Sequence, residues 1–329
     1  IKLSREDSKY KNAREKDDSI CADLKVAFKE AGHPVIESFL QGSLKTATAI
    51  KHSKNDFDID RALVIDASTA PEDPVEVKKM VYHVLEKRGF KNAKIKMPCV
   101  TADYASLNLH IDIVVYKKNG DYYELAVGKR NSSDAIKEWS PSNPKGLIDN
   151  INDKSDYIGS SEDKLKQYKR LVRYMKRWRD EKFEDTVRKK VYSIGITIML
   201  KEQFKPVLDD EGKPDDLKAL RETVEAVLDG NYFKMLADSN YRIEVNLPTL
   251  PFKNIFHNSS VATGTQFRNK LIAMLHNLDK ALAEDSLKKQ CDILREVFGD
   301  DFETAEESTN NSAKIAYSSA GLVGTSQGA

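Results

Sequence analysis

Between Phe57 and Ile65 the chain alternates with a period of two. Phe57, Ile59, Leu63 and Ile65 share one face of an extended segment, and Asp56, Asp58 and Asp60 share the other. The stretch from Leu107 to Tyr116 repeats the pattern, with Leu107, Leu109, Ile111 and Ile113 on the apolar side and Asn108, His110 and Asp112 opposite. On a strand, Asp58 and Asp60 leave the same face about 7 Å apart at the backbone. If the two strands pair, Asp112 joins them and three carboxylates meet on one patch.

Three such carboxylates repel one another unless cations sit among them. Hard oxygen donors suit Mg²⁺, which binds through a few carboxylates and leaves its other positions to water and phosphates. Two Mg²⁺ ions ~4 Å apart repel by roughly 16 kcal/mol at an effective dielectric near 20, so three carboxylates plus a triphosphate are about what holds such a pair. Gly42-Ser43 stands 16 residues before Asp58. At Gly42 no Cβ keeps the backbone from a phosphate, Ser43 offers its N–H and hydroxyl, and a helical turn after it presents free amides. Lys45 and Thr46 either help hold the phosphate or cap that turn. Asp56 reads as a bystander, and His110 as a strand histidine that makes a hydrogen bond.

Around this core the pattern predicts a helix over 5–31, closed by Gly32-His33-Pro34, and a strand from Val35 to Leu40 that ends at Gly42-Ser43. A brief helical turn follows from Leu44 to Ile50, and a helix from Val75 to Gly89. Ala93 to Val100 and Leu107 to Tyr116 read as strands, and Asn119-Gly120 as a hairpin turn into Tyr122 to Val127. Ser140 to Ser161, rich in Ser, Asn, Pro and Asp, reads as a connection. From Glu162 the period becomes helical: Leu165, Tyr168, Leu171, Val172, Met175 and Trp178 form one stripe, and helical patterns continue over 191–204, 215–237 and 265–298. Tyr168, Tyr174 and Trp178 are spaced as core residues, not as base-stacking platforms. The expected architecture is a lobe that mixes helix and strand over 1–150, then a helical lobe over 151–304, with a cleft between. Residues 305–329 read as a flexible tail or partner-binding arm.

No run of 18 apolar residues exists, which argues against a membrane span, and the charged opening residues argue against secretion. Cys21, Cys99 and Cys291 lie far apart without zinc or disulfide spacing, so a reducing cytoplasm is expected. With 53 basic and 52 acidic residues, nucleic-acid contact has to rest on a local patch, for which the basic helix 164–182 is the candidate for duplex DNA.

On Gly42-Ser43, Asp58-Ile59-Asp60, Asp112 and the helix from Lys169 to Trp178, the chain resembles the DNA polymerase beta-type nucleotidyltransferases. Within them it looks like the branch of oligoadenylate synthases, cyclic GMP–AMP synthase and bacterial CD-NTases, over roughly residues 5–300. The resemblance implies an α+β fold: a polymerase beta-like nucleotidyltransferase core with a mixed sheet, its first helix packing across both lobes, and a C-terminal, oligoadenylate synthase-like helical lobe. It implies that Asp58 and Asp60 bind two Mg²⁺ ions and that Asp112 completes the site of the ion that activates the attacking hydroxyl. Lys169 and Ser193 stand where the family binds the donor triphosphate. Two departures favour the bacterial CD-NTases: no Cys/His cluster for a zinc insertion, and Ile194 where the animal enzyme stacks a base on tyrosine. That branch implies ATP as substrate, a cyclic oligonucleotide such as cyclic tri-AMP as product, anti-phage signalling, and a HORMA-domain regulator protein as partner. The rivals are a linear oligoadenylate, RNA-tail or protein nucleotidyltransferase, and a non-catalytic module that binds DNA or a regulator.

Overall fold

The computed structural model describes residues 8–50, 57–104 and 107–304. Asp56, residues 1–7 and the expected tail at 305–329 lie outside the described residues. The chain divides into two compact units, Ile1–Asn150 with Pro248–Phe252, and Ile151–Leu247 with Lys253–Ala329.

The first unit runs α1 (Ser8–Glu30), β1 (Val35–Gln41), α2 (Gly42–Lys45), β2 (Phe57–Asp66), α3 (Pro74–Lys87), β3 (Lys94–Ile95), β4 (Val100–Tyr104), β5 (Leu109–Asn119), β6 (Tyr122–Val127) and β7 (Glu138–Ser142). The helix α4 (Pro144–Asn152) follows. The sheet has seven strands in the order β1-β2-β5-β4-β3, with β6 on β5 and β7 on β6. β2 and β5 pair in parallel and the other neighbours are antiparallel, so the sheet is mixed and the class is α+β, as expected.

One face of the sheet carries the core. Ile59, Leu63 and Ile65 of β2 and Ile111, Ile113 and Val115 of β5 pack with Ile20, Leu24 and Phe28 of α1 and with Val77, Val81 and Leu85 of α3. The four-residue steps within each helix put these side chains on one stripe. α3 starts where the sequence makes it start: Asp73 caps it by accepting from Val75 N at 2.8 Å, and Pro74 takes the first turn, where a missing N–H costs nothing. On the opposite face Ala62, Val64, Val114, Tyr116, Tyr123 and Cys99 form a smaller cluster.

Three expectations need correction. Ala93 to Val100 is not one strand: Lys96 N donates to Cys99 O at 2.9 Å, which closes a turn around Pro98 and separates β3 from β4. Ser140 to Ser161 is not a plain connection, because β7 and α4 begin inside or before it. Pro141 sits in β7, which pairs on one side only, and an edge position tolerates a residue without an N–H. The turn after β1 begins at Gly42, two residues before Leu44.

Arg61 interrupts the apolar face of β2. It is 6% exposed, and its guanidinium grips Asp17 of α1 with two bonds: Nε donates to Oδ1 at 3.0 Å and Nη2 to Oδ2. Nη2 also reaches Asp18 Oδ1 at 2.8 Å, and Arg14 meets Asp17 from the helix side. A buried pair of this kind is costly to assemble and more costly to break.

The second unit comprises α5 (Ser161–Lys182), α6 (Asp185–Arg188), α7 (Ser193–Gln203), α8 (Asp216–Asp229), β8 (Phe233–Met235), β9 (Tyr241–Ile243), α9 (Val261–Ala283) and α10 (Leu287–Phe298). The helical pattern read over 215–237 stops at Asp229, and β8 with β9 forms a small hairpin beyond it. Tyr168 and Trp178 are buried, as their spacing suggested. Among the described residues no helix is long and apolar enough to cross a membrane.

Replacing Asp17 with Ala leaves the Arg61 guanidinium buried beside the exposed Asp18 alone. The expected loss is about 3 kcal/mol of unfolding free energy, measured by urea titration. A loss below roughly 1 kcal/mol would show that the pair is not a principal tie between α1 and β2.

Candidate active site

β2 and β5 run side by side in a register that sets Asp58 opposite His110 and Asp60 opposite Asp112. Partners in a parallel pair point to the same side, so all three carboxylates emerge on the face away from α1 and α3. β4 extends both rows: Asp103 stands opposite His110, and Thr101 opposite Asp112.

Each carboxylate has a distinct neighbour. Asp60 is met by Gly42. The glycine has φ +62, and a Cβ built there would lie 2.0 Å from Asp60 Oδ2 and 2.8 Å from its Cγ. Only glycine gives both that conformation and that approach. β1 brings it there, since Gln41 is the register partner of Asp60. From below, Tyr116 donates its hydroxyl to Gln41 Oε1 at 3.1 Å. Burial, reinforced by the charge of Asp60, raises the Tyr116 phenol above its ordinary value, so it remains a donor.

Asp58 is more exposed and has His110 Nδ1 3.8 Å from its Oδ1, while His110 Nε2 lies 3.5 Å from Asp103 Oδ1. His110 thus stands between two carboxylates. Asp112 Oδ1 accepts from Thr101 Oγ1 and lies 3.5 Å from Lys96 Nζ. Cys99 contributes no thiolate here: burial first, then the charge of Asp112, pushes its thiol up to about 12.

The loop at Gly42 has its own bracing. Thr46 is buried, its hydroxyl donates to Gly42 O at 3.1 Å and meets Thr48 Oγ1 at 3.0 Å, and Thr48 N donates to Ser43 O at 2.9 Å. Of the two readings open for Thr46, capping is therefore the one that holds. Ser43 is half-buried at the head of α2, and Lys45 is exposed.

Among the described residues, no three carboxylate, imidazole or thiol groups stand close enough to hold one ion. Asp58, Asp60 and Asp112 share a face without closing into a cage. This open set of hard oxygens suits Mg²⁺, which takes one or two carboxylates and completes its octahedron from water and phosphate. It would suit a zinc or calcium site, whose ligands come mainly from protein, much less well.

Lys169 and Ser193 lie in the second unit and are not brought together. Lys169 Nζ donates to Asn152 Oδ1 at 2.7 Å, and burial, with the like charges of Arg173 and Lys201, lowers its ammonium below the ordinary value. Ser193 Oγ accepts from Arg179. Ten residues of α5 separate Lys169 from Arg179, about 15 Å of helix. Arg179 escaped the sequence reading because nothing in the linear pattern marks which end of α5 meets the start of α7.

The basic run 164–182 is not a free phosphate-binding face. Of its cationic side chains only Lys166 is exposed. Arg170 pairs with Asp216 through two bonds of 2.6 and 2.7 Å, Arg177 with Glu181 and Asp301, and Arg179 with Asp180. Sequence reasoning also missed Thr101, Asp103 and Lys96. The period-two run Val100 to Tyr104 held the signal for Thr101 and Asp103, hidden because Pro98 was read as lying inside a strand.

Comparison with known proteins gives a consistent picture. Residues 36–116 match the family described as "Cyclic GMP-AMP synthase DncV-like, nucleotidyltransferase domain". A cyclic GMP-AMP synthase from Escherichia albertii is 30% identical over 191 residues, which is 55% of this chain and 40% of that protein. The match therefore spans less than half of the relative's length. E. coli MS115-1 CdnC, solved in a complex with HORMA-deltaN, superposes with a TM-score of 0.63 at 17% identity, covering 92% of this chain and 94% of that one. The same CdnC solved with ATP gives a TM-score of 0.61 at 19% identity, over 92% and 95%. Bradyrhizobium diazoefficiens CdnG in complex with GTP gives a TM-score of 0.64 at 13% identity, over 88% and 89%. At these identities the likeness establishes the fold, a polymerase beta-like core.

The glycine contact yields a direct test. Gly42→Ala has to move either the loop or the Asp60 carboxylate, because the new methyl and Oδ2 cannot share one place. The expected outcome is a Mn²⁺ affinity at least tenfold weaker, about 1.4 kcal/mol, with a stability cost near 1 kcal/mol from the positive φ. Metal titration followed by paramagnetic resonance reads the first and thermal unfolding the second. Unchanged Mn²⁺ affinity would remove Asp60 from the site.

Proposed function

We propose that this chain, which belongs to the CD-NTase family through the DncV-like nucleotidyltransferase domain it carries at residues 36–116, joins nucleoside triphosphates into a cyclic oligonucleotide and releases pyrophosphate. The observation that supports this most is the register that puts Asp60 beside Asp112 on one face, with Gly42 against Asp60.

In this reading Asp58 and Asp60 hold two Mg²⁺ ions, and Asp112 completes the site of the one at the attacking hydroxyl. When bound, the ions stabilise the attacking and leaving oxygens and ease deprotonation of the hydroxyl. The chain's own residues do the positioning. Gly42 admits the triphosphate close to the backbone, and Ser43 offers its N–H and hydroxyl to it. Thr101 fixes one oxygen of Asp112, and Tyr116 fixes the approach to Gly42 through Gln41. For Lys169 and Ser193 as contacts of the donor triphosphate, the proposal rests on the family resemblance alone.

ATP as substrate is supported by the likeness to CdnC, which was solved with ATP. The likeness to CdnC in its complex with HORMA-deltaN supports a HORMA-domain protein as regulator, while an adenine-containing ring such as cyclic tri-AMP as a messenger in anti-phage signalling rests on the family resemblance alone. A mixed guanine–adenine ring is the second reading, favoured by the Escherichia albertii cyclic GMP-AMP synthase. Duplex DNA is not part of the proposal, since the cations of α5 are occupied within their own unit.

The test is incubation with four labelled nucleoside triphosphates and Mg²⁺, with and without a HORMA-domain protein, followed by phosphatase and mass spectrometry. A phosphatase-resistant product without free ends is expected. Asp112→Asn is expected to lower its formation by about a hundredfold or more while the protein stays folded. A variant that keeps more than roughly a tenth of the rate would remove Asp112 from the reaction. Open chains in place of rings would overturn the cyclic product and leave nucleotidyl transfer standing.

A further inference from the structure

Lys78, on α3, is 1% exposed; burial lowers its ammonium to about 8, which leaves it largely charged at neutral pH. Its three N–H donors are met by three backbone carbonyls, Lys96 O, Met97 O and Gly128 O, each at 2.6 Å. Among the described residues no carboxylate pairs with it, and the adjacent Cys99 thiol, pushed up to about 12, remains uncharged at neutral pH. Burying an ammonium is costly, and only complete hydrogen bonding offsets that cost. A methionine would fill much the same space without that cost. The charge has a different use, and the three acceptors indicate it.

Lys96 and Met97 open the turn between β3 and β4. The turn is closed by Lys96 N on Cys99 O, and Met97 O also accepts from Gly128 N at 3.1 Å. Two residues of the segment that starts there reach Asp112: Lys96 through its ammonium and Thr101 through its hydroxyl, both on Oδ1. Neither contact falls on Oδ2. The chain of connections thus runs from the Lys78 ammonium to the backbone of the turn, then to Lys96 and Thr101, then to one oxygen of Asp112.

We propose that Lys78 is a positioning residue for Asp112: its buried ammonium pins the 96–101 segment so that Lys96 and Thr101 hold Oδ1 and the carboxylate is oriented to bind metal. The proposal rests on the reading of Asp112 as a metal ligand. Groups that orient a metal ligand commonly set its affinity by 10- to 100-fold, and Lys78 does so through the backbone.

The experiment measures Mn²⁺ affinity by paramagnetic resonance on folded protein with a non-hydrolysable ATP analogue, together with amide exchange. Lys78→Met is expected to weaken Mn²⁺ binding about tenfold and to speed exchange of the 96–101 amides while the β2–β5 amides keep their protection. Thr101→Val is expected to weaken binding by a similar factor. The double variant is expected to lose little more than either single one, because both remove the same contact. Lys78→Gln, which keeps two of the three donors, is expected to fall between wild type and Lys78→Met, and it carries the test if Lys78→Met does not fold. Wild-type Mn²⁺ affinity in a folded Lys78 variant, or losses in the double variant that multiply in full, would overturn the proposal. Because no turnover is read, the two ideas fail separately. Weakened Mn²⁺ binding in a protein that makes no nucleotide product leaves the inference and removes the function. Product formation with unchanged Mn²⁺ affinity in the variants does the reverse. A wild type that binds no Mn²⁺ overturns both.

Discussion

The parallel pairing of β2 with β5 is the constraint on which the first unit depends. Both strands carry apolar residues on odd positions and the acidic ones on even positions, so one register serves two needs at once. Ile59, Leu63, Ile111 and Ile113 go to the helices, and Asp58, Asp60 and Asp112 go to the other face. A slip of one residue on either strand would exchange the faces, which would bury carboxylates and expose isoleucines. Burying an unpaired carboxylate costs far more than any single apolar contact returns. The core therefore selects the register, and the register assembles the site.

The rest of the unit secures this pair from both sides. On the core side Arg61 sits one residue beyond Asp60 and ties β2 to α1 through Asp17. On the site side β1 delivers Gly42 to Asp60, with Gln41 held by Tyr116. Along the far edge β4 delivers Thr101 to Asp112, and Lys78 secures the turn that begins β4. Each carboxylate is thus placed by a different neighbouring strand, and none is placed by its own strand alone.

What the sequence made legible follows from this. The period-two runs of Phe57 to Ile65 and Leu107 to Tyr116 exposed the strand pair, its two faces and the three aspartates, because alternation is a local property. Gly42 was legible because no other residue suits a close approach at positive φ. The turn at Asn119-Gly120 was legible for the same reason, and Gly120 has φ +57. What stayed hidden depends on pairs distant in sequence. Nothing local tells that Lys78 will meet Gly128, that Arg61 will meet Asp17 or that Arg179 will meet Ser193. β7 was hidden because Pro141 and two serines read as loop, and edge strands accept them. The helical end of the chain was read as longer helices than it has, since β8 and β9 span three residues each and leave no periodic trace.

On the proposed reading, the geometry of the site favours an ion that arrives together with its phosphates. Three like charges on one face cannot relax by closing together, and each has instead taken a separate neighbour. Asp58 leans on His110, which is shared with Asp103, and Asp112 has Thr101 and Lys96 on one oxygen. In that reading Thr101 and Lys96 fix one oxygen of Asp112, and an incoming cation is taken by the carboxylate they orient. Carboxylates that do not close into a cage offer a bare ion few donors, so most of its shell has to come from elsewhere. A triphosphate bound as proposed on the Gly42-Ser43 turn would supply those oxygens and add negative charge to the same face. In the proposed reaction this makes metal affinity and nucleotide affinity one linked quantity, each raising the other by the same factor. The fold keeps the carboxylates in register on one face, and in the proposed reaction the nucleotide completes the site they share.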